Sequence, residues 1–117
     1  MTREKAEKKG RPYGCGLGPA FEVIGGRWKA LLLYEIHVET RRFGELKRLV
    51  EGISEKVLIQ QLREMEADGL IHRKVLHEVP PRVEYSITGL GASLDDALIP
   101  LAKWGEQHAE RIVASRT

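Results

Sequence analysis

Apolar positions recur every three to four residues through most of this chain, and past Gly69 the pattern changes to that of strands, alternating cleanly over 82–88, before the helical period returns. The clearest helical stretch is Ile53 to Leu70. Ser54 supplies a side-chain oxygen for the unpartnered backbone donors of a first turn, and Gly69 follows as a residue that can close a helix left-handed. Between them Leu58, Leu62 and Met65 fall on one face, which predicts a helix over 54–68. Upstream, Leu17 to Ile24 reads as a short helix with Pro19 tolerated in its first turn, broken by Gly25-Gly26. Trp28 to Val38 reads as a buried helix whose inward stripe is Trp28, Leu31, Leu32 and Ile36. After a polar turn at Thr40-Arg41-Arg42, with room for one strand residue, Phe43 to Val50 forms a short helix with Phe43, Leu46, Leu49 and Val50 inward. Glu51-Gly52 ends it, Gly52 being suited to positive φ.

Past Gly69, residues 70–78 read as a strand and Arg82 to Thr88 alternates, with Val83, Tyr85 and Ile87 to one side. Val79-Pro80-Pro81 between them cannot continue a ladder and must be a loop. A short helix, a tight turn, a second helix and then a hairpin is the order of a winged helix-turn-helix. The last segment, Leu90 to about Ser115, returns to the helical period, with a kink or break expected near Ile99 ahead of Pro100. Its apolar residues Leu98, Leu101 and Trp104 exceed what a small core needs, and the surplus implies a partner helix, most economically a second copy of the chain.

Composition narrows the class. With 117 residues, 42% hydrophobic and 31% charged, the chain fits one soluble globular domain. Residues 1–14, polar and broken by glycine and proline, read as a flexible arm, and 15–117 as the domain. Arg3, Lys5, Lys8, Lys9 and Arg11 against Glu4 and Glu7 give the arm three net positive charges, so the remainder of a chain of net charge +2 is slightly acidic. Such an arm can touch phosphates or stay solvated. One cysteine makes no internal disulfide, and no apolar run approaches the ~20 residues of a bilayer span, so the expected location is cytoplasmic, away from any membrane.

The predicted helix over 54–68 turns Lys56, Gln60 and Arg63 away from its apolar stripe. Those side chains suit a DNA major groove, where Lys and Arg pair with guanine or phosphate and Gln with adenine. An ordinary amphipathic surface helix has the same pattern, and it is the neighbouring elements that favour DNA. Ser54 sits at the N-terminus, an end that favours phosphate, whereas Glu55 would repel it unless it reads a cytosine amino group.

Several stretches together carry a family resemblance: Cys15, Val23-Ile-Gly-Gly-Arg-Trp28, Arg42-Phe-Gly-Glu-Leu46, Gly52-Ile-Ser-Glu-Lys-Val-Leu58, Leu62 to Leu70, Glu78-Val-Pro-Pro-Arg-Val-Glu-Tyr-Ser-Ile-Thr88 and Trp104-Gly-Glu106. Over residues 15–108 the chain resembles HxlR-type winged-helix transcriptional regulators, relatives of the MarR-type regulators. The resemblance implies an α+β, mainly α fold: a winged helix-turn-helix with a two-stranded wing over 71–88 and N- and C-terminal dimerisation helices. It further implies a homodimer on double-stranded DNA, with an inverted-repeat operator, the helix from Ser54 in the major groove and no cofactor. The DNA-facing residues expected on these grounds are Ser54, Lys56, Gln60, Arg63, Arg82 at the wing tip and Arg42; Leu98, Leu101 and Trp104 are the expected dimer residues.

Alternatives attach to three single residues. Arg82 has carboxylates to pair with at Glu78 and Glu84, and Arg42 lies in what could be a solvated turn. Cys15 falls, by the resemblance, where several family members hold a redox-sensing thiol, although Gly16 stands where the family usually has proline. A thiol at a helix start gains thiolate character, and a lone cysteine can equally be a small apolar residue. A winged-helix module that binds protein rather than DNA would share the same core. Catalysis finds no support: the four histidines are scattered, and there is no metal-ligand spacing, no phosphate-cradling loop and no orienting group for a Cys–His pair.

Overall fold

The computed structural model describes the backbone of residues 14–116 and the side chains of residues 16–114. The order of elements is α1 (Gly14–Ile24), α2 (Arg27–Val38), β1 (Arg41–Arg42), α3 (Phe43–Leu49), α4 (Glu55–Ala67), β2 (Ile71–Leu76), β3 (Arg82–Ile87) and α5 (Gly89–Arg116). The expected basic arm, residues 1–13 of it, lies outside the described residues.

α4 forms as its signals dictate. The Ser54 hydroxyl accepts from the Val57 N–H at 3.1 Å, so Ser54 is the cap and not the first helical residue. At the other end the Leu70 N–H donates to the Met65 carbonyl at 2.9 Å and the Gly69 N–H to that of Glu66 at 3.0 Å. That pair of bonds satisfies the last carbonyls and requires the left-handed conformation that Gly69 adopts, φ 77°. Leu58, Leu62 and Met65 are buried and join Leu32, Leu33 and Ile36 of α2, Leu46 of α3 and Tyr85 of β3 in one core.

The sheet has three antiparallel strands in the order β1-β3-β2. β2 and β3 pair from Ile71 opposite Ile87 to Leu76 opposite Arg82, which makes the wing. The single strand residue allowed for at 40–42 is a two-residue strand, Arg41 opposite Tyr85 and Arg42 opposite Glu84. Arg41 is held inside the domain: its Nε donates to the Glu35 carbonyl at 2.9 Å, and its guanidinium pairs with the carboxylates of Glu35 and Glu39.

Thr88 locks the junction between wing and α5. Its N–H donates to the Leu70 carbonyl, and its hydroxyl accepts from the Gly91 N–H at 2.9 Å and lies 2.6 Å from the Gly69 carbonyl. α5 starts so close to that strand that a Cβ on residue 91 would lie 2.1 Å from the Leu70 oxygen, which only glycine avoids.

Four expectations change. In α2, Leu31 is 45% exposed and the inward position belongs to Leu33, at 1%. The run Leu31-Leu32-Leu33 offers two equally good apolar stripes, and the core under α2 selects the one continuing through Lys29 and Ile36. Leu49 in α3 is also exposed, Leu46 and Val50 being the residues that reach the core. Pro19 lies inside α1, because that helix starts at Gly14 rather than Leu17. Finally, α5 is not broken at Ile99 but runs unbroken through Pro100 for 28 residues. Pro100 and Asp96, whose carbonyl the missing N–H would have met, are both exposed, so water can serve that acceptor.

Candidate nucleic-acid interface

The core presses one face of α4 inward and leaves the opposite face to solvent. Lys56, Gln60 and Arg63 are exposed there, with Glu55, Ile59 and Glu64 lining the same open depression. Gln61 is half-buried at the edge of the packed face, as its place on the helical wheel implies. Ile59, 37% exposed amid this polar set, could meet a thymine methyl; the apolar stripe had no place for it, and that mismatch was its only signal.

Beneath this face lies a charge pair not foreseen in the sequence. The Lys29 ammonium of α2, its side chain only 10% exposed, sits 2.6 Å from Glu64 Oε1. The Gln60 side-chain Nε2 donates to the other oxygen, Oε2, at 3.3 Å. The hydrogen bond from Lys29, that from Gln60 and the Lys29 charge together hold the Glu64 carboxyl below its ordinary range. Glu64 is therefore an anion balanced by a cation of its own protein, and the exposed face keeps Lys56 and Arg63 as cations against Glu55.

A second cluster forms where β1 meets the wing. Arg42, Phe43 and Gly44 line one open depression with Val75, Pro81, Arg82 and Val83. The Glu45 carboxylate accepts from the Arg42 N–H at 2.7 Å, which caps α3 and leaves the exposed guanidinium on the surface. Arg82 is more constrained: its Nη1 is 3.2 Å from Glu78 Oε1, and its Nε lies 3.4 Å from Glu84 Oε2 without the alignment of a hydrogen bond. Both carboxylates named as its partners from sequence do flank it, so any phosphate must compete with them. His72, Arg73, Lys74 and His77 along the wing are exposed.

The six expected DNA-facing residues thus fall into two groups, Lys56–Gln60–Arg63 on α4 and Arg42–Arg82 at the wing, while the oxygen of Ser54 is engaged in the cap. Of the three expected dimer residues, Leu98 is half-buried against its own core, whereas Leu101 and Trp104 are 57% and 53% exposed. Cys15 lies in the first turn of α1, and its side chain is outside the described residues.

This arrangement, two packed helices with a capped, polar outer helix and a paired wing, is that of a winged helix-turn-helix regulator. Residues 23–113 match the family model described as HxlR-like helix-turn-helix, and the chain belongs to that family. It is 48% identical over 101 residues to the HTH-type transcriptional regulator YkvN of Bacillus subtilis strain 168, covering 86% of each chain. Among solved structures it resembles a transcriptional regulator of the MarR family from Enterococcus faecalis V583, with 46% identity, TM-score 0.71 and coverage of 84% of this chain and 89% of the other. It also resembles the redox regulator HypR in its reduced form, with 40% identity, TM-score 0.78 and coverage of 84% and 97%. No helix among the described residues is long and apolar enough to cross a membrane.

Proposed function

We propose that the protein is a sequence-specific DNA-binding transcriptional regulator acting as a homodimer, with α4 in the major groove and the wing on the flanking backbone or minor groove. One observation carries this reading: a helix capped at both ends and buried along Leu58, Leu62 and Met65 turns Lys56, Gln60 and Arg63 outward from a rigid base. These side chains combine phosphate attraction with base-edge donors and acceptors, which a protein-docking helix would not need. Arg42 and Arg82 add cations beside the wing, where phosphates flanking a half-site would lie.

The dimer in this reading uses α5. At 1.5 Å per residue its 28 residues span about 42 Å, well past the core that Leu94 and Leu98 reach. Leu101, Trp104 and Val113 follow on the free portion and are all more than half exposed. A second copy covering that surface would place two α4 helices on one face of an inverted repeat. Footprinting on the DNA upstream of the protein's own gene tests the whole reading: two protected half-sites about one helical turn apart are expected, and no protection at moderate salt would overturn it.

Cys15 gives the regulator its input in this reading. Its place in the first turn of α1, together with the likeness to a protein titled a redox regulator, supports a thiol whose oxidation alters the dimer. Diamide should abolish operator binding by the wild type and spare Cys15→Ser; equal loss in both would remove this thiol from the mechanism.

A further inference from the structure

Gln60 is the one amide on the exposed face of α4, and a glutamine reads a base only if its two ends are told apart. Adenine offers an acceptor at N7 beside a donor at N6, so a reading amide must present N–H and C=O in the matching order. A free glutamine side chain turns through both orders and loses rotamer entropy when it docks. Here Gln60 is not free, because its Nε2 lies 3.3 Å from Glu64 Oε2. A carboxylate only accepts, so the amide must turn its nitrogen toward Glu64; the reversed amide would set oxygen against oxygen. One N–H is taken by the carboxylate, and the second N–H remains beside Oε1 as an ordered donor–acceptor pair.

Glu64 is itself fixed. It is one helical turn beyond Gln60, and its other oxygen, Oε1, is held at 2.6 Å by the nearly buried ammonium of Lys29 on α2. Its two oxygens thus have separate partners, one within the domain and one on the exposed face. The same ammonium balances a carboxylate that would otherwise stand unpaired close to a phosphate backbone.

We propose that Glu64 sets the orientation of the Gln60 amide and that Lys29 holds Glu64 for this purpose, so that two residues not themselves reading bases decide which base Gln60 prefers. They are positioning residues for specificity. The inference rests on the reading that α4 enters the major groove.

Selection of bound duplexes from a randomised DNA pool tests it, using the full chain as wild type, Gln60→Ala, Glu64→Gln and Lys29→Met, with thermal unfolding followed in parallel. Wild type should yield a consensus, and Gln60→Ala should lose about tenfold discrimination at one adenine per half-site, as the removal of one paired contact does. Glu64→Gln, a change at a half-exposed side chain that leaves the core untouched, should relax preference at that same base pair several-fold and at no other. Lys29→Met should do so too wherever its unfolding midpoint shows a folded protein. A merely structural role for Glu64 would instead lower affinity for all sequences alike, and that result overturns the inference. So does unchanged preference at the position that Gln60→Ala relaxes, or a Gln60→Ala consensus identical to wild type; in both cases groove binding by α4 stands. A wild-type protein that selects no sequence overturns groove reading itself.

Discussion

α4 and the second half of α5 are both helices with one side open to solvent, and they are open in opposite ways. The free side of α4 is polar, and its glutamine and glutamate are already engaged with each other and with Lys29. The free side of α5 past Pro100 carries Leu101, Trp104 and Val113, with Trp104 stacked on His108 at 4.8 Å between ring centroids. Water is a good solvent for the first surface and a poor one for the second. A polar face on a rigid base suits a partner read by hydrogen bonds and charge; an apolar face on a projecting helix suits one that removes it from water. Under the proposed function, recognition and assembly would thus be separated by the chemistry of the exposed faces.

The most severe challenge to that division is to make α5 polar. Leu101→Glu together with Trp104→Glu should leave the circular dichroism of the domain nearly unchanged while converting a dimer to a monomer in analytical ultracentrifugation. Operator affinity should fall about a hundredfold or more, since each half-site would then be held alone. A double variant that stays dimeric would place the assembly surface elsewhere.

Next in size is an attack on the seat of α4. Leu58→Ala removes a fully buried side chain and should lower the unfolding free energy by about 2–5 kcal/mol, read from the urea midpoint. A loss well under 1 kcal/mol would show that the helix does not depend on the core beneath it.

On the outer face of the same helix, Arg63→Ala should weaken operator binding by about 1–3 kcal/mol in a gel shift without changing stability. Arg82→Ala should cost less, because Glu78 and Glu84 already offset that charge. Unchanged affinity in both variants would detach this whole surface from DNA.

The smallest expected effect is a pH dependence at the seat of α4, where Glu64 meets Lys29 of α2. Glu64 has a folded-state pKa below its ordinary value of 4.5, so the stability it contributes is complete above pH 4.5 and is lost as pH falls through the lowered value. Glu64→Gln should therefore lower stability modestly near neutrality, flatten its decline with acid and converge with wild type below the lowered value, as followed by thermal melts across that range. An acid limb identical to wild type would show that the Lys29 contact contributes nothing in solution.

Much of this was legible in the residues. Ser54, the Leu58–Leu62–Met65 stripe and Gly69 specify α4 to within a residue at each end, because caps and periodicity are local and act through neighbouring backbone groups. The wing was as plain, from the alternation over 82–88 and the prolines before it. Where several local patterns fitted equally well, sequence lost its power. Leu31, Leu32 and Leu33 could each face inward, and only the position of α3, α4 and the sheet beneath α2 decides for Leu32 and Leu33. Pro100 reads as a helix breaker, yet the flanking turns carry α5 through a site where the lost hydrogen bond faces water.

What the sequence determined by itself was the order of elements, the family and the polar side chains Lys56, Gln60 and Arg63 that α4 turns outward. Tertiary structure alone decided how those side chains are held. Lys29 and Glu64 are 35 positions apart in the chain, and no periodicity links them; the crossing of α2 beneath α4 brings their charges to 2.6 Å. Likewise Thr88 and Gly91 become indispensable only because α5 begins against the Leu70 carbonyl. Local signals fix what each segment becomes, since they act within a few residues. Partners distant along the chain are chosen by packing, which no short window contains.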